Sequence, residues 1–366
     1  SRGGLGQEVK KREEGPSRGP IKGLRWYDWR LYLGRPRSRV TIPTNYPLVG
    51  YVQVPRKAVK TNTANDHLLG LITQPDVTGF TAARWGLEAY TKTFEKFDYG
   101  TAEYLPETDP ELCHFADSAV IAECAYMAGS RVTPITCTSK NMDSTPAFPK
   151  FLEFDTERDY IETCGMQEYI DSFSSEETMR RKPVWYCFLK NEILKEKKVN
   201  ENDIRVISCT DPVFVRIGAA LDEHQNARMK ARTETHHAQV GWTPFRGGLD
   251  RRCRRLAKKD VFVELDWTRF DGTIPPWLFR RVRMIRWYLM DGEDRERYGD
   301  LARWYTKNLL SRFTLFPTGE VTLIKKGNPS GQYSTTVDNN MVNEFLTAAE
   351  FGYLYRKANG HLPTVE

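Results

Sequence analysis

The sequence predicts a mixed α/β (α+β) fold of more than one lobe, and three observations lead there. Strand-length apolar runs stand at residues 184–190 (VWYCFLK), 204–209 (IRVISC), 261–266 (VFVELD) and 321–326 (VTLIKK). Between and after them, segments with helical apolar spacing cover residues 212–226, 277–290 and 334–357. The 366 residues are 40% hydrophobic, enough for two or three domains or one multi-lobed body. No apolar run approaches the roughly 18 residues that span a bilayer. The polar, basic N-terminus carries no signal-peptide pattern.

In chain order, residues 1–23 hold six glycines and two prolines with little apolar content, and are expected to form a flexible tail. Residues 24–33 (LRWYDWRLYL) begin the folded part as a short helix. Residues 42–150 are mixed and rich in proline, with no internal repeat. From Leu152 to Thr178 nine acidic residues stand against one basic residue. The aromatics interleaved there favour a charged surface helix or lid over disorder. Strands 184–190 and 204–209 bracket a charged connector, and the helix 212–226 follows them. Residues 261–266 read as a buried strand ending in Asp266. Pro275 and Pro276 suit the first turn of a helix, which continues over 277–290 with its arginines outward. Strand 321–326 leads through loop 327–331 into the last helix. Residues 361–366 bring no terminating element, as expected of a truncated chain.

The seven cysteines are odd in number and widely spaced, with no CxxC pair. That pattern argues against a zinc site and a disulfide framework, and for a reducing compartment. Net charge is a modest +6, but it is distributed in blocks. Residues 180–205 carry eight basic and four acidic groups, and residues 246–260 seven basic and two acidic. Blocks of this kind fit a basic lining for an anionic partner, or an unevenly charged solvated surface. The basic stretch 251–259 is open to both readings. His236 and His237 are adjacent, and the sequence brings no metal-ligand partner near them.

Three constellations carry chemistry. Asp266, at the carboxyl end of its expected strand, offers a hard oxygen to Mg²⁺. Asp271, five residues on, would lie near the sugar of a nucleotide. A strand-end aspartate also caps helices, so this spacing alone is weak. The segment GNPSGQYSTTVDNN (327–340) is more specific, because a glycine-bearing loop opens directly into a helix and lets main-chain N–H groups approach a ligand. Thr335, Asn339 and Asn343 fall at i, i+4 and i+8 on one face of that helix. Such a stripe is costly unless it binds something. Third, Lys190, Lys195, Lys197, Lys198 and Arg205 crowd the connector between two strands, as a triphosphate clamp or as an exposed charged hairpin.

In this order, the stretches FLKNEILKEKK, CTDPVFVRIGA, ELDWTRFDGTIP and GNPSGQYSTTVDNNMVNEF resemble the RNA-dependent RNA polymerases of positive-strand RNA viruses, astroviruses most of all. The resemblance covers most of residues 24–358. It implies a right-hand polymerase: fingers over 24–211 with a return segment at 301–327, and palm over 212–300 and 328–366. It makes DWTRFD motif A, with Asp266 on the catalytic metals and Asp271 helping to recognise the ribose 2′-OH. It makes SGQYSTTVDNN motif B, in which Ser330 and Gly331 form a mobile loop while Thr335 and Asn339 join Asp271 in selecting ribose. Lys190, Lys198 and Arg205 match the motif F cations of the NTP channel. Ser144, Thr145 and Pro146 fall in a stretch (DSTPAFPK) similar to motif G, which guides the template.

The resemblance further implies Mg²⁺ (or Mn²⁺) as cofactor. Its partners would be an RNA template and nascent strand, NTPs, a protein primer and other viral replication proteins. The setting would be the host-cell cytoplasm, at virus-induced membranes. The family's motif C hairpin and thumb are not found in the sequence. Tyr298-Gly299-Asp300-Leu301 and Gly247-Gly248-Leu249-Asp250 imitate motif C without paired aspartates. The expected fold is therefore fingers plus partial palm, with a raw sheet edge beside the motif A strand. The function expected is RNA-directed RNA synthesis. The alternatives are an RNA- and NTP-binding fragment without turnover and, more weakly, a reverse transcriptase.

Overall fold

A computed structural model describes residues 25–35, 46–52, 67–73, 76–84, 86–97 and 104–365; the expected tail 1–23 lies outside them. The strands are β1 (Leu33–Gly34), β2 (Leu48–Val52), β3 (Phe80–Ala82), β4 (Val184–Leu189), β5 (Ile193–Lys195), β6 (Val206–Thr210), β7 (Arg312–Leu315) and β8 (Glu320–Ile324). Six of them form one sheet in the order β1-β2-β8-β7-β4-β6, with β4 and β7 parallel and the other neighbours antiparallel. Trp185, Cys187 and Leu189 alternate into the core from β4. The register sets Leu189 opposite Val206, so Lys190 and Arg205 leave the sheet side by side. The connector between them pairs back onto the chain through β3 and β5.

The helices that position the site are α1 (Leu87–Phe94), α2 (Pro110–Glu123), α3 (Pro212–Lys230), α4 (Pro276–Tyr288), α5 (Gly292–Leu310) and α6 (Thr335–Asn359). α3 starts where expected: Asp211 accepts from Val213 N, and Pro212 takes the first turn, where its missing N–H costs nothing. Phe214 and Ile217 of α3 pack with Phe279 and Val282 of α4, Tyr305 of α5 and Phe345 of α6 in the principal core.

The structure departs from the sequence reading in several places. The short helix expected near the start of the folded part is a 3-10 helix (Asp28–Tyr32) that runs into β1. The acidic stretch is helical, as expected, but as two helices, Glu157–Cys164 and Gln167–Ser174. Its Glu157 is fully buried and accepts from Arg216 Nε at 2.6 Å. Residues 261–266 form no strand: Val261 is 79% and Val263 77% exposed. An extended segment needs a neighbour for its N–H and C=O groups, and among the described residues no strand pairs with it. The raw sheet edge expected beside it is therefore not present, since no strand forms there.

The arginines of α4 are not all outward either. Arg283 and Arg286 are buried, because α3 and α6 bring carboxylates to meet them. Both motif C imitations lie on helices, residues 298–301 within α5 and residues 248–250 opening the helix Gly248–Leu256.

Candidate functional site

Loop 327–334 sits between the Asp271 turn and β6, and main-chain contact explains its glycines. Gly327 has φ +71°, and a Cβ there would lie 2.5 Å from the Asp271 carbonyl oxygen. A Cβ on Gly331 would lie 2.1 Å from the Ser208 carbonyl oxygen. Ser330 Oγ donates to Val206 O and accepts from Ser208 N, both at 3.2 Å. The loop is thereby stapled to the strand that ends beside Arg205.

Asn328 draws the expected ribose-selecting residues together. Its main-chain N–H donates to Asp271 O at 2.7 Å. Its carboxamide donates to Asn339 Oδ1 at 2.9 Å and to Thr335 O at 3.3 Å. Thr335 Oγ1 turns back onto the loop, donating to Pro329 O at 2.8 Å. Asn343 Oδ1 accepts from Trp267 Nε1 at 2.6 Å, tethering the Asp266 segment to α6. Each member of the polar stripe thus has a partner within the chain itself. Lys96, unmarked in the sequence, reaches the Asp271 carboxylate at 2.9 Å. Asp266 is exposed.

Beneath the loop lies a buried polar network that sequence reasoning missed. Ser334 Oγ donates to Asp222 Oδ2 at 2.6 Å, and Gln332 Nε2 donates to Asp338 Oδ2 at 2.7 Å. Arg283 NH1 stands 2.7 Å from Asp222, and Arg286 NH1 2.7 Å from Asp338. Two carboxylates and two guanidiniums balance in charge, which is what makes their burial tolerable. Burial would push the Asp222 carboxyl up, but Arg283 and Arg286 outweigh it and hold it below the usual aspartate value. Arg312 holds the start of the loop, donating to Leu309 O at 2.6 Å and Gly327 O at 3.1 Å. Burial lowers its guanidinium to about 10, still charged at neutral pH.

The expected triphosphate cations are engaged differently from a free clamp. Arg205 Nε donates to Glu192 Oε1 at 2.7 Å, and Lys190 Nζ lies 3.3 Å from Glu192 Oε2. The Arg205 bond, with Lys190 adding to it, keeps the Glu192 carboxyl below its ordinary range. Lys198 is exposed on the short helix Glu196–Asn200.

The Ser144–Pro146 stretch is fixed from its own side. Ser144 Oγ donates to Asn141 O at 2.9 Å and its carbonyl accepts from Glu157 N at 3.2 Å, while Thr145 is exposed and Pro146 buried. Lys150, just beyond, is buried against Asp211 at 2.9 Å and Glu168 at 3.0 Å. Tyr333 OH reaches Ser139 O at 3.5 Å, bridging from loop 327–334 toward this stretch.

Comparison with known proteins bears on this site. Residues 82–366 match the family profile described as viral RNA-dependent RNA polymerase. The chain is 56% identical over 361 residues to the non-structural polyprotein 1AB of avian nephritis virus 1, covering 97% of the chain and 24% of that protein. It is 48% identical over 367 residues to the polyprotein 1AB of turkey astrovirus 2, covering 98% of the chain and 22% of that protein. The chain thus spans about a quarter of the length of these relatives. Its fold is similar to a Sicinivirus 3Dpol RNA-dependent RNA polymerase, with a TM-score of 0.59 and 16% identity, over 74% of this chain and 60% of that one.

Proposed function

The chain belongs to the viral RNA-dependent RNA polymerase family, and from that premise we propose that it serves RNA-directed RNA synthesis, joining NTPs to an RNA 3′-OH during viral genome replication and transcription. The observation that carries the reading is Asn328, which links Asp271, Thr335 and Asn339 in one site. Phosphoryl transfer is accelerated chiefly by positioning and charge neutralisation. In this reading Asp271, steadied by Lys96, and Asn339 meet the ribose 2′-OH. Thr335 holds the loop against which the nucleotide rests, and Ser330 and Gly331 become its moving part when the Ser330 bonds to β6 open. Lys190, Lys198 and Arg205 receive the triphosphate once it displaces Glu192. Ser144, Thr145 and Pro146 border the template path.

Fingers would comprise residues 24–211 with 301–327 returning, a division supported by β7 pairing with β4. Palm would comprise 212–300 and 328–366. RNA template, nascent strand, NTPs, a protein primer and other viral replication proteins are the partners we assign. We place the work in the host-cell cytoplasm at replication membranes. No helix among the described residues is long and apolar enough to cross a membrane.

Mg²⁺, or Mn²⁺ in its place, would supply charge neutralisation at the reacting phosphate. Asp266 offers it one exposed, hard oxygen donor. Two-ion transfer needs more carboxylates about the same point. Among the described residues no group of three or more metal-ligand side chains includes Asp266; the single such group lies elsewhere. The residues present therefore do not build a two-ion centre, which favours a second reading in which this chain by itself binds RNA and NTPs without turnover. The reverse-transcriptase alternative is not favoured: the family match is to RNA-dependent RNA polymerases.

Titration of the chain with a fluorescent ATP analogue tests the site. Binding should require the triphosphate and weaken about tenfold in Lys190→Ala and Arg205→Ala, as losing one charge-assisted contact predicts. Affinity indifferent to both substitutions would sink the assignment.

A further inference from the structure

We propose that Glu123 at the end of α2, His237 in the loop after α3, and Glu344 on α6 form a binding site for a divalent transition-metal ion, zinc foremost, separate from Asp266. Their ligand atoms all lie within 4.8 Å of one another. His237 Nδ1 stands 3.7 Å from Glu123 Oε1 and 3.6 Å from Glu344 Oε1. A tetrahedral ion with bonds of 2.0–2.1 Å would space its donors by roughly 3.3 Å, so the trio needs little adjustment.

The donors are already oriented. The main-chain N–H of His237 donates to Glu123 Oε1 at 2.8 Å. The cysteine spacing that argued against zinc says nothing about this set, whose members lie far apart in sequence.

A second observation points to a cation. Glu344 Oε1 is buried and has no hydrogen-bond partner, and the Glu344 residue lines a cavity together with Glu123 and His237. A bound cation would satisfy the orphaned oxygen. An imidazole with two carboxylates suits Zn²⁺ and its first-row neighbours, whereas Mg²⁺ takes oxygen donors alone. Cys124 Sγ, 3.6 Å from Glu344 Oε2, is placed to brace that carboxylate from behind.

Equilibrium titration of the metal-stripped chain with Zn²⁺ in excess Mg²⁺, with Co²⁺ absorption as a second probe, decides the matter. The expected result is one ion per chain, bound at least about tenfold more weakly in His237→Ala and Glu344→Gln and unchanged in Asp266→Ala. Loss in Asp266→Ala alone would overturn the proposal, because the ion would then belong to the motif A region. Undetectable binding, or binding indifferent to both variants, would overturn it too. His237 is 79% exposed, so His237→Ala remains decisive even if Glu344→Gln fails to fold.

Discussion

Asn328 Nδ2 donates to Asn339 Oδ1 at 2.9 Å, joining the loop that opens α6 to the helix face where the nucleotide sugar is proposed to lie. With that oxygen occupied, Asn339 keeps its amide N–H groups for a ligand. One hydrogen bond is worth about 1 kcal/mol net, or roughly fivefold in an equilibrium. Asn328→Ala, in the protein extended C-terminally, should therefore reduce preference for NTP over dNTP about fivefold, read from competing incorporation. An unchanged ratio would show that Asn339 is positioned by other means.

Asp222 couples the loop to the core through Ser334, Arg283 and Arg286. Asp222→Asn leaves the guanidiniums undercompensated and should cost about 3–5 kcal/mol in denaturant unfolding. The same residue predicts a pH dependence. Its folded carboxyl lies below the ordinary 3.8, so its contribution is complete well above that value and is lost as pH falls through the lower folded one. Unfolding midpoints should drop below about pH 4, and the drop should be shallower in Asp222→Asn.

Glu192 competes with the triphosphate for Arg205 and Lys190. Glu192→Gln should lower the NTP KM severalfold while leaving RNA affinity within about twofold, because only the clamp is released. A raised KM would mean that Glu192 orients the cations instead of masking them.

Val261, Phe262, Val263 and Leu265 expose contiguous apolar surface. Val263→Asp should reduce light scattering by the 366-residue chain and change its unfolding free energy by no more than about 0.5 kcal/mol. Undiminished scattering would locate the sticky surface elsewhere.

The elements legible in the sequence were those whose local pattern and tertiary setting agree. β4, β6, α3 and α6 were visible because alternation, a proline in the first turn or helical spacing matched the side they bury. Residues 261–266 were misread because strand propensity says nothing of a pairing partner. Arg283 and Arg286 were placed outside because an arginine looks solvated until helices distant in sequence bring Asp222 and Asp338 to it. The polar stripe of α6 is costly without partners, and in the structure it finds them within the chain itself. Which partners would answer, Asn328 and Trp267, could not be read from spacing. His237 lacked ligands for the same reason: Glu123 and Glu344 are more than a hundred residues away on either side.

The most direct test is primer extension on a homopolymeric RNA template with NTPs and Mg²⁺. It compares the 366-residue chain, a C-terminally extended protein, and that protein with Asp266→Ala. Extension by the longer protein, abolished by Asp266→Ala and missing from the 366-residue chain, is the predicted result. Extension by the 366-residue chain would contradict the account of Asp266 as a lone ligand, and extension surviving Asp266→Ala would contradict its catalytic role.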